Sequence, residues 1–125
     1  MPSRRTILIV EDDADLRRMF RTALTFAGFR VLEAGDGLHA LQVLDRDPPD
    51  VVVLDLGLPL LSGQVVQKEI AAQAHMRHIR VVVVTGTSGA HNELDVACVL
   101  RKPVSPEDLV GTVRSCLASD QASAT

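Results

Sequence analysis

The segment Val51-Val52-Val53-Leu54-Asp55 restricts the fold of this chain more than any other. Four successive apolar residues, three of them β-branched, lead into one aspartate, and Gly57 and Pro59 follow within four positions. A continuous apolar run bounded by turn formers reads as a strand buried on both faces, and such strands belong to parallel sheets covered by helices on either side. The aspartate then sits where strand becomes turn. A buried carboxylate is costly unless it is paired, so the rest of the chain must supply partners for Asp55.

The same grammar recurs along the chain. Thr6–Val10 is an apolar run ending in Glu11-Asp12-Asp13, and Ile79–Val84 is another ending in Thr85-Gly86. Shorter runs, Arg30–Ala34 and Val96–Leu100, read as the second and fifth strands, with Lys102-Pro103 just after the fifth. Between them the period changes. Leu16, Phe20, Ala23, Leu24 and Ala27 fall at helical spacing, with Arg17, Arg18, Arg21 and Thr25 on the other side. Asp13 is placed to cap that helix and Gly28 to stop it. Asp36-Gly37 opens a second helix with Leu38, Leu41 and Leu44 as its expected buried face, and Asp47-Pro48-Pro49-Asp50 ends it. After Ser62-Gly63 a third helix carries Val66, Ile70 and Ala74 on one side. Ala90 to Asp95 has room for one or two polar helical turns. Ser105-Pro106-Glu107-Asp108 is a helix start, with an N-cap serine, proline at the first position and two acids near the positive end. Leu109, Val113, Cys116 and Leu117 form its apolar stripe. This alternation predicts an α/β fold: a doubly wound parallel sheet of five strands with right-handed crossovers. A single domain over residues 1–125 is expected, with its core at about 6–118 and a flexible tail at 119–125.

Composition removes several function classes. A net charge of −3 gives no basic footprint for direct nucleic-acid binding, and three Phe with no Trp or Tyr leave little for base stacking. No apolar run is long enough to span a bilayer or to act as a secretory signal, so a cytoplasmic location is expected. Cys98 and Cys116 lack metal-ligand spacing and read as reduced thiols. The histidines at 39, 75, 78 and 91 are scattered, with surface positions as the default.

In a parallel sheet all strand C-termini share one edge, and ligands bind there at a switch in strand order. The first strand ends in Glu11 and Asp12, the third in Asp55, the fourth in Thr85 and the fifth in Lys102. If the first and third strands are neighbours, three carboxylates crowd one pocket and call for a cation. Oxygen ligands with room for water suit Mg2+ or Mn2+. A metal, a hydroxyl and a lysine gathered around Asp55 suit a tetrahedral anion built on that residue. Each residue alone has a plainer role, as a helix cap, a turn hydroxyl or a surface lysine. Their joint placement at strand ends favours the chemical one.

These residues resemble the receiver domains of two-component response regulators. The resemblance runs from Thr6 to about Leu117 and rests on Glu11-Asp12, on Asp55 with Pro59 and Gly63, on Thr85-Gly86 and on Lys102-Pro103. It implies a flavodoxin-like sheet in strand order 2-1-3-4-5. It implies that Asp55 accepts a phosphoryl group from a histidine kinase or phosphotransfer protein. Asp12 and Asp55 would hold Mg2+, with Glu11 acting through water and the Gly57 backbone carbonyl as a further ligand. Thr85, the Gly86 backbone N–H and Lys102 would each meet a phosphoryl oxygen. The domain would catalyse only its own phosphorylation and dephosphorylation and would signal to a downstream effector protein or domain, with a weak homodimer also allowed. Gly57 and Thr87 would shape water access to the acyl phosphate.

Two departures from the family pattern stand out. Its usual aromatic residue in the fifth strand is Val99 here, so the ring that swings inward on activation is missing. The interval from Thr85 to Lys102 is also short by about one helical turn, which predicts a stunted fourth helix. These departures keep a second class in view, a pseudo-receiver that binds partners without phosphorylation. A third, an aspartate-nucleophile phosphatase, is disfavoured because Gly57 stands where such enzymes commonly place a second acid.

Overall fold

The structure is a computed structural model that describes residues 4–58, 63–73, 78–86 and 98–123. Five strands, β1 (Thr6–Val10), β2 (Arg30–Ala34), β3 (Val51–Asp55), β4 (Arg80–Thr85) and β5 (Cys98–Arg101), form one sheet in the order β2-β1-β3-β4-β5. Every neighbouring pair is parallel. Four helices are described: α1 (Ala14–Phe26), α2 (Gly37–Arg46), α3 (Gly63–Ala72) and α4 (Pro106–Ser123).

The continuous apolar runs are explained by the two layers they separate. Side chains alternate across a strand, so Leu8, Val10, Val52, Leu54, Val81 and Val83 pack with α2 and α3. Their neighbours Ile7, Ile9, Val51, Val53, Val82 and Val84 pack on the other face with Phe20 and Leu24 of α1 and with Leu109, Val113 and Cys116 of α4. All five residues of β1 and of β3 are buried.

The helix ends follow their local chemistry. Asp13 Oδ1 accepts from the backbone N–H groups of Asp15 and Leu16, at 2.9 and 3.1 Å. Asp36 Oδ1 accepts from His39 N–H at 2.8 Å, and Ser105 Oγ from Asp108 N–H at 3.1 Å. Gly28 takes φ 101°, a left-handed conformation that ends α1 and that residues with a Cβ rarely adopt.

The α2 face differs from the sequence expectation. Leu38 is 54% exposed, and the buried residues are Gly37, Ala40, Val43 and Leu44, with Leu41 only half-buried. Ala40, Val43 and Leu44 follow i, i+3, i+4 spacing, and the small Ala40 lets the helix sit close to the sheet. The α4 backbone continues through Ser123, whereas the polar sequence after residue 118 suggested a tail. Pro59, Ala74, His75, Thr87, His91, Val96 and the stunted helix expected before β5 lie outside the described residues.

Candidate functional site

Adjacency of β1 and β3 brings the acids together. Val10 pairs with Leu54, so the residues that follow, Glu11 and Asp55, emerge side by side. Backbone hydrogen bonds carry the ladder past the strand ends: Glu11 N–H donates to Ala34 O at 3.1 Å, Leu56 N–H to Val84 O at 3.3 Å, and Lys102 N–H to Thr85 O at 2.9 Å. The tips of the loops are therefore extensions of the sheet, and the side chains they carry are aimed by rigid structure.

Asp55 is buried at 6% exposure, and each of its oxygens has a partner. Oδ1 accepts from Gly57 N–H at 2.9 Å, and Oδ2 lies 3.3 Å from Lys102 Nζ. The same ammonium stands 3.3 Å from Glu11 Oε1. Burial works against the Lys102 charge, but Asp55 and Glu11 together outweigh it and hold its pKa above the ordinary lysine value. The Lys102–Pro103 peptide is cis.

Glu11 is the most deeply buried acid of the group. It is 1% exposed, Oε2 accepts from Asp13 N–H at 3.1 Å, and Oε1 is buried without a properly directed hydrogen bond despite the nearby ammonium. Burial pushes its pKa up to about 7. The Asp13 N–H opposes that rise, the Asp55 charge adds to it, Lys102 counters it, and a hydrogen bond with Asp12 adds again.

Oxygens of Glu11, Asp12 and Asp55 lie within 4.8 Å of one another, with Asp12 on the exposed side. Three hard carboxylate donors, one with an oxygen left over and one facing water, fit a hydrated divalent cation. Thr85 is buried at the end of β4, one residue beyond the Val84 that pairs with Asp55. Gly86 is exposed beside it, and a Cβ there would come 3.9 Å from Lys102 Cδ. The structure thus gathers Glu11, Asp12, Asp55, Gly57, Thr85, Gly86 and Lys102 at one edge. Val99 stands apart on edge strand β5, paired with Val83 and 36% exposed.

Sequence reasoning placed Arg17 on a solvated helix face, but its role is different. Arg17 Nη1 donates to the Glu11 carbonyl oxygen at 2.7 Å, and its Nε lies 3.3 Å from Glu33 Oε1. Arg21 grips the other Glu33 oxygen at 3.3 Å. The Arg17/Arg21 spacing of four and the acid near the end of the second strand were visible in the sequence. Their meeting depends on α1 lying beside β2.

Comparison with known proteins agrees with this geometry. A family model described as "Response regulator receiver domain" matches residues 7–114. A probable transcriptional regulator, ycf27 of Porphyridium aerugineum, is 34% identical over 113 residues, covering 89% of this chain and 47% of that protein. The chain thus spans about half the length of the first curated relatives it matches. The polar-differentiation response regulator DivK of Brucella ovis is 28% identical, covering 90% of this chain and 96% of its own. The chemotaxis response regulator CheY4 of Vibrio cholerae superposes with a TM-score of 0.85 over 91% of this chain and 99% of that one, at 24% identity, which bears on the fold alone. Among the described residues no helix is long and apolar enough to cross a membrane.

Proposed function

Because this chain belongs to the response regulator receiver domains of two-component signalling, we propose that it is a switch whose phosphoryl acceptor is Asp55. The observation that carries this reading is the double grip of Lys102 Nζ, 3.3 Å from both Asp55 Oδ2 and Glu11 Oε1. It places a fixed cation against the buried carboxylate beside an acidic pocket of the kind typical of phospho-accepting receivers.

Membership of the family implies a histidine kinase as partner. In the proposed reaction an Asp55 carboxylate oxygen attacks the phosphorus of a phosphohistidine, on the kinase or on a phosphotransfer protein. The phosphorus–nitrogen bond breaks, its electron pair stays with the imidazole, and an acyl phosphate remains on Asp55. Gly57 N–H orients the carboxylate through Oδ1. Lys102 is free to follow the charge from the carboxylate to a phosphoryl oxygen. Thr85 and the Gly86 backbone N–H serve the remaining oxygens. Glu11, Asp12 and Asp55 would hold Mg2+ or Mn2+, which when bound neutralises charge on the phosphoryl group. Release is by water attack on the same phosphorus, with Gly57 leaving that side open. The chemistry is confined to the domain itself, and its output is a downstream effector.

The test is incubation with acetyl phosphate and Mg2+, followed by intact mass. Wild type should gain one phosphoryl group and Asp55→Ala none. If wild type stays unmodified with acetyl phosphate and with a phosphorylated kinase, the domain is a binding module and the proposal fails.

A further inference from the structure

Strands β1, β3, β4 and β5 run into residues of the acidic pocket, whereas β2 ends in Glu33 and Ala34. Glu33 nevertheless reaches the pocket by way of α1. Its Oε1 lies 3.3 Å from Arg17 Nε, and the same guanidinium donates through Nη1 to the Glu11 carbonyl oxygen at 2.7 Å. Gly35 lies alongside, where a Cβ would come 3.5 Å from Nη1. Arg21 holds the other Glu33 oxygen at 3.3 Å. Side chains this open to water, Arg17 at 25% and Glu33 at 31%, gain little stability from pairing. The bond to the Glu11 carbonyl gives the pair a different use.

What the guanidinium fixes is a peptide plane. The Glu11 carbonyl and the Asp12 N–H belong to one planar unit, so a bond to that oxygen sets the direction in which the chain enters Asp12. The next plane is gripped as well, because Asp13 N–H donates to Glu11 Oε2 at 3.1 Å. Beyond it Asp13 caps α1 through the N–H groups of Asp15 and Leu16. Asp12 thus stands between two anchored planes, which together set its backbone angles and the direction of its Cβ. Glu11 and Asp55 are buried, but Asp12 is exposed. An exposed carboxylate pays the most in lost freedom when it ligates a cation, so it gains most from being aimed beforehand. We propose that Glu33 and Arg17 are positioning residues that aim Asp12 at the cation through the Glu11–Asp12 peptide. The inference rests on the receiver reading in taking Asp12 as a ligand of Mg2+. Arg17 acts against its own charge, since a guanidinium beside the pocket repels a metal ion. Loss of Arg17 would tighten Mg2+ binding if only its charge mattered, and weakens it if Arg17 aims Asp12.

Titration calorimetry with Mg2+ on the full chain tests the proposal. Arg17→Met should raise the Mg2+ Kd about tenfold, and Glu33→Gln about threefold. Arg21→Met removes the same charge from the same carboxylate but leaves the bond to the Glu11 carbonyl in place, so its Kd should stay within about twofold of wild type. The double variant Arg17→Met, Glu33→Gln changes no net charge. It should bind Mg2+ no better and no worse than Arg17→Met alone, because Glu33 acts only through Arg17. Urea midpoints close to wild type verify that the variants are folded. The Mg2+ concentration for half-maximal acetyl phosphate labelling should rise in step with each Kd. An Arg17→Met protein that binds Mg2+ as tightly as wild type, or more tightly, overturns the proposal. So does an equal loss in Arg21→Met, a double variant that returns to wild-type affinity or shows the product of both losses, or a wild type with no affinity for Mg2+. If the affinities follow the expected order while wild type takes no phosphoryl group from acetyl phosphate or a phosphorylated kinase, the phosphoacceptor reading of Asp55 fails and the aiming of Asp12 stands.

Discussion

Consider Glu11→Gln in protein stripped of metal. Glu11 is 1% exposed, and its pKa stands near 7 against a reference of 4.5. Glutamine keeps the shape and retains an oxygen for Asp13 N–H, but cannot ionise. The folded state holds the Glu11 proton more tightly than the unfolded chain, so stability from this group is full below the unfolded pKa and declines as pH rises through the folded one. The displacement corresponds to a total loss of roughly 3 kcal/mol. About 1 kcal/mol of it is already gone near pH 5, and the loss is nearly complete by about pH 8. The other carboxylates titrate in both proteins, so the difference between them isolates Glu11. Urea unfolding in EDTA across that range should show the two proteins converging in acid. The glutamine variant should lead by about 3 kcal/mol at the alkaline end. Saturating Mg2+ should narrow the gap, because the cation neutralises the Glu11 charge in wild type and binds the variant less well. Parallel stability curves with no pH-dependent gap would refute the reasoning. They would mean that Glu11 ionises without penalty in the fold.

Other outcomes follow from the same geometry. Gly63→Ala places a Cβ in overlap with the Asp55 carbonyl oxygen and only 2.8 Å from Leu56 Cα; a loss of about 3 kcal/mol in urea unfolding is expected, because backbone atoms cannot step aside cheaply. Lys102→Met removes the cation between Asp55 and Glu11; acetyl phosphate labelling should slow by about a hundredfold, while calorimetry should show Mg2+ binding at least as tight as in wild type. On α2, Leu38→Gln should change stability by less than about 0.5 kcal/mol and Ala40→Leu should cost about 1–3 kcal/mol, since only Ala40 is buried. Arg17→Met frees the Glu11 carbonyl and should weaken Mg2+ binding by about tenfold, measured by calorimetry on folded protein.

The chain alone determined the layering and most of the site. Runs such as Val51–Leu54 and Ile7–Val10 are apolar at every position because both faces of their strands are covered, and that signal is local. The caps at Asp13, Asp36 and Ser105 and the stop at Gly28 are equally local, since each satisfies or relieves the backbone beside it. Strand ends mark the functional edge of a parallel sheet, so Glu11, Asp55, Thr85 and Lys102 were legible from their positions in the chain. What required tertiary structure was everything that depends on distance between segments. The buried face of α2 was misread because its leucines, three residues apart, form a stripe that drifts around the helix, and only packing centres the buried face on Ala40, Val43 and Leu44 and leaves Leu38 outside it. Arg17 became a brace for Glu11 only because α1 lies against β1 and β2. An open groove between α1 and α4 exists because two helices distant in sequence return to the same face of the sheet. Asp55 and Glu11 come to share one lysine for the same reason: the order β2-β1-β3 sets their strands side by side, and burial makes that proximity energetically consequential.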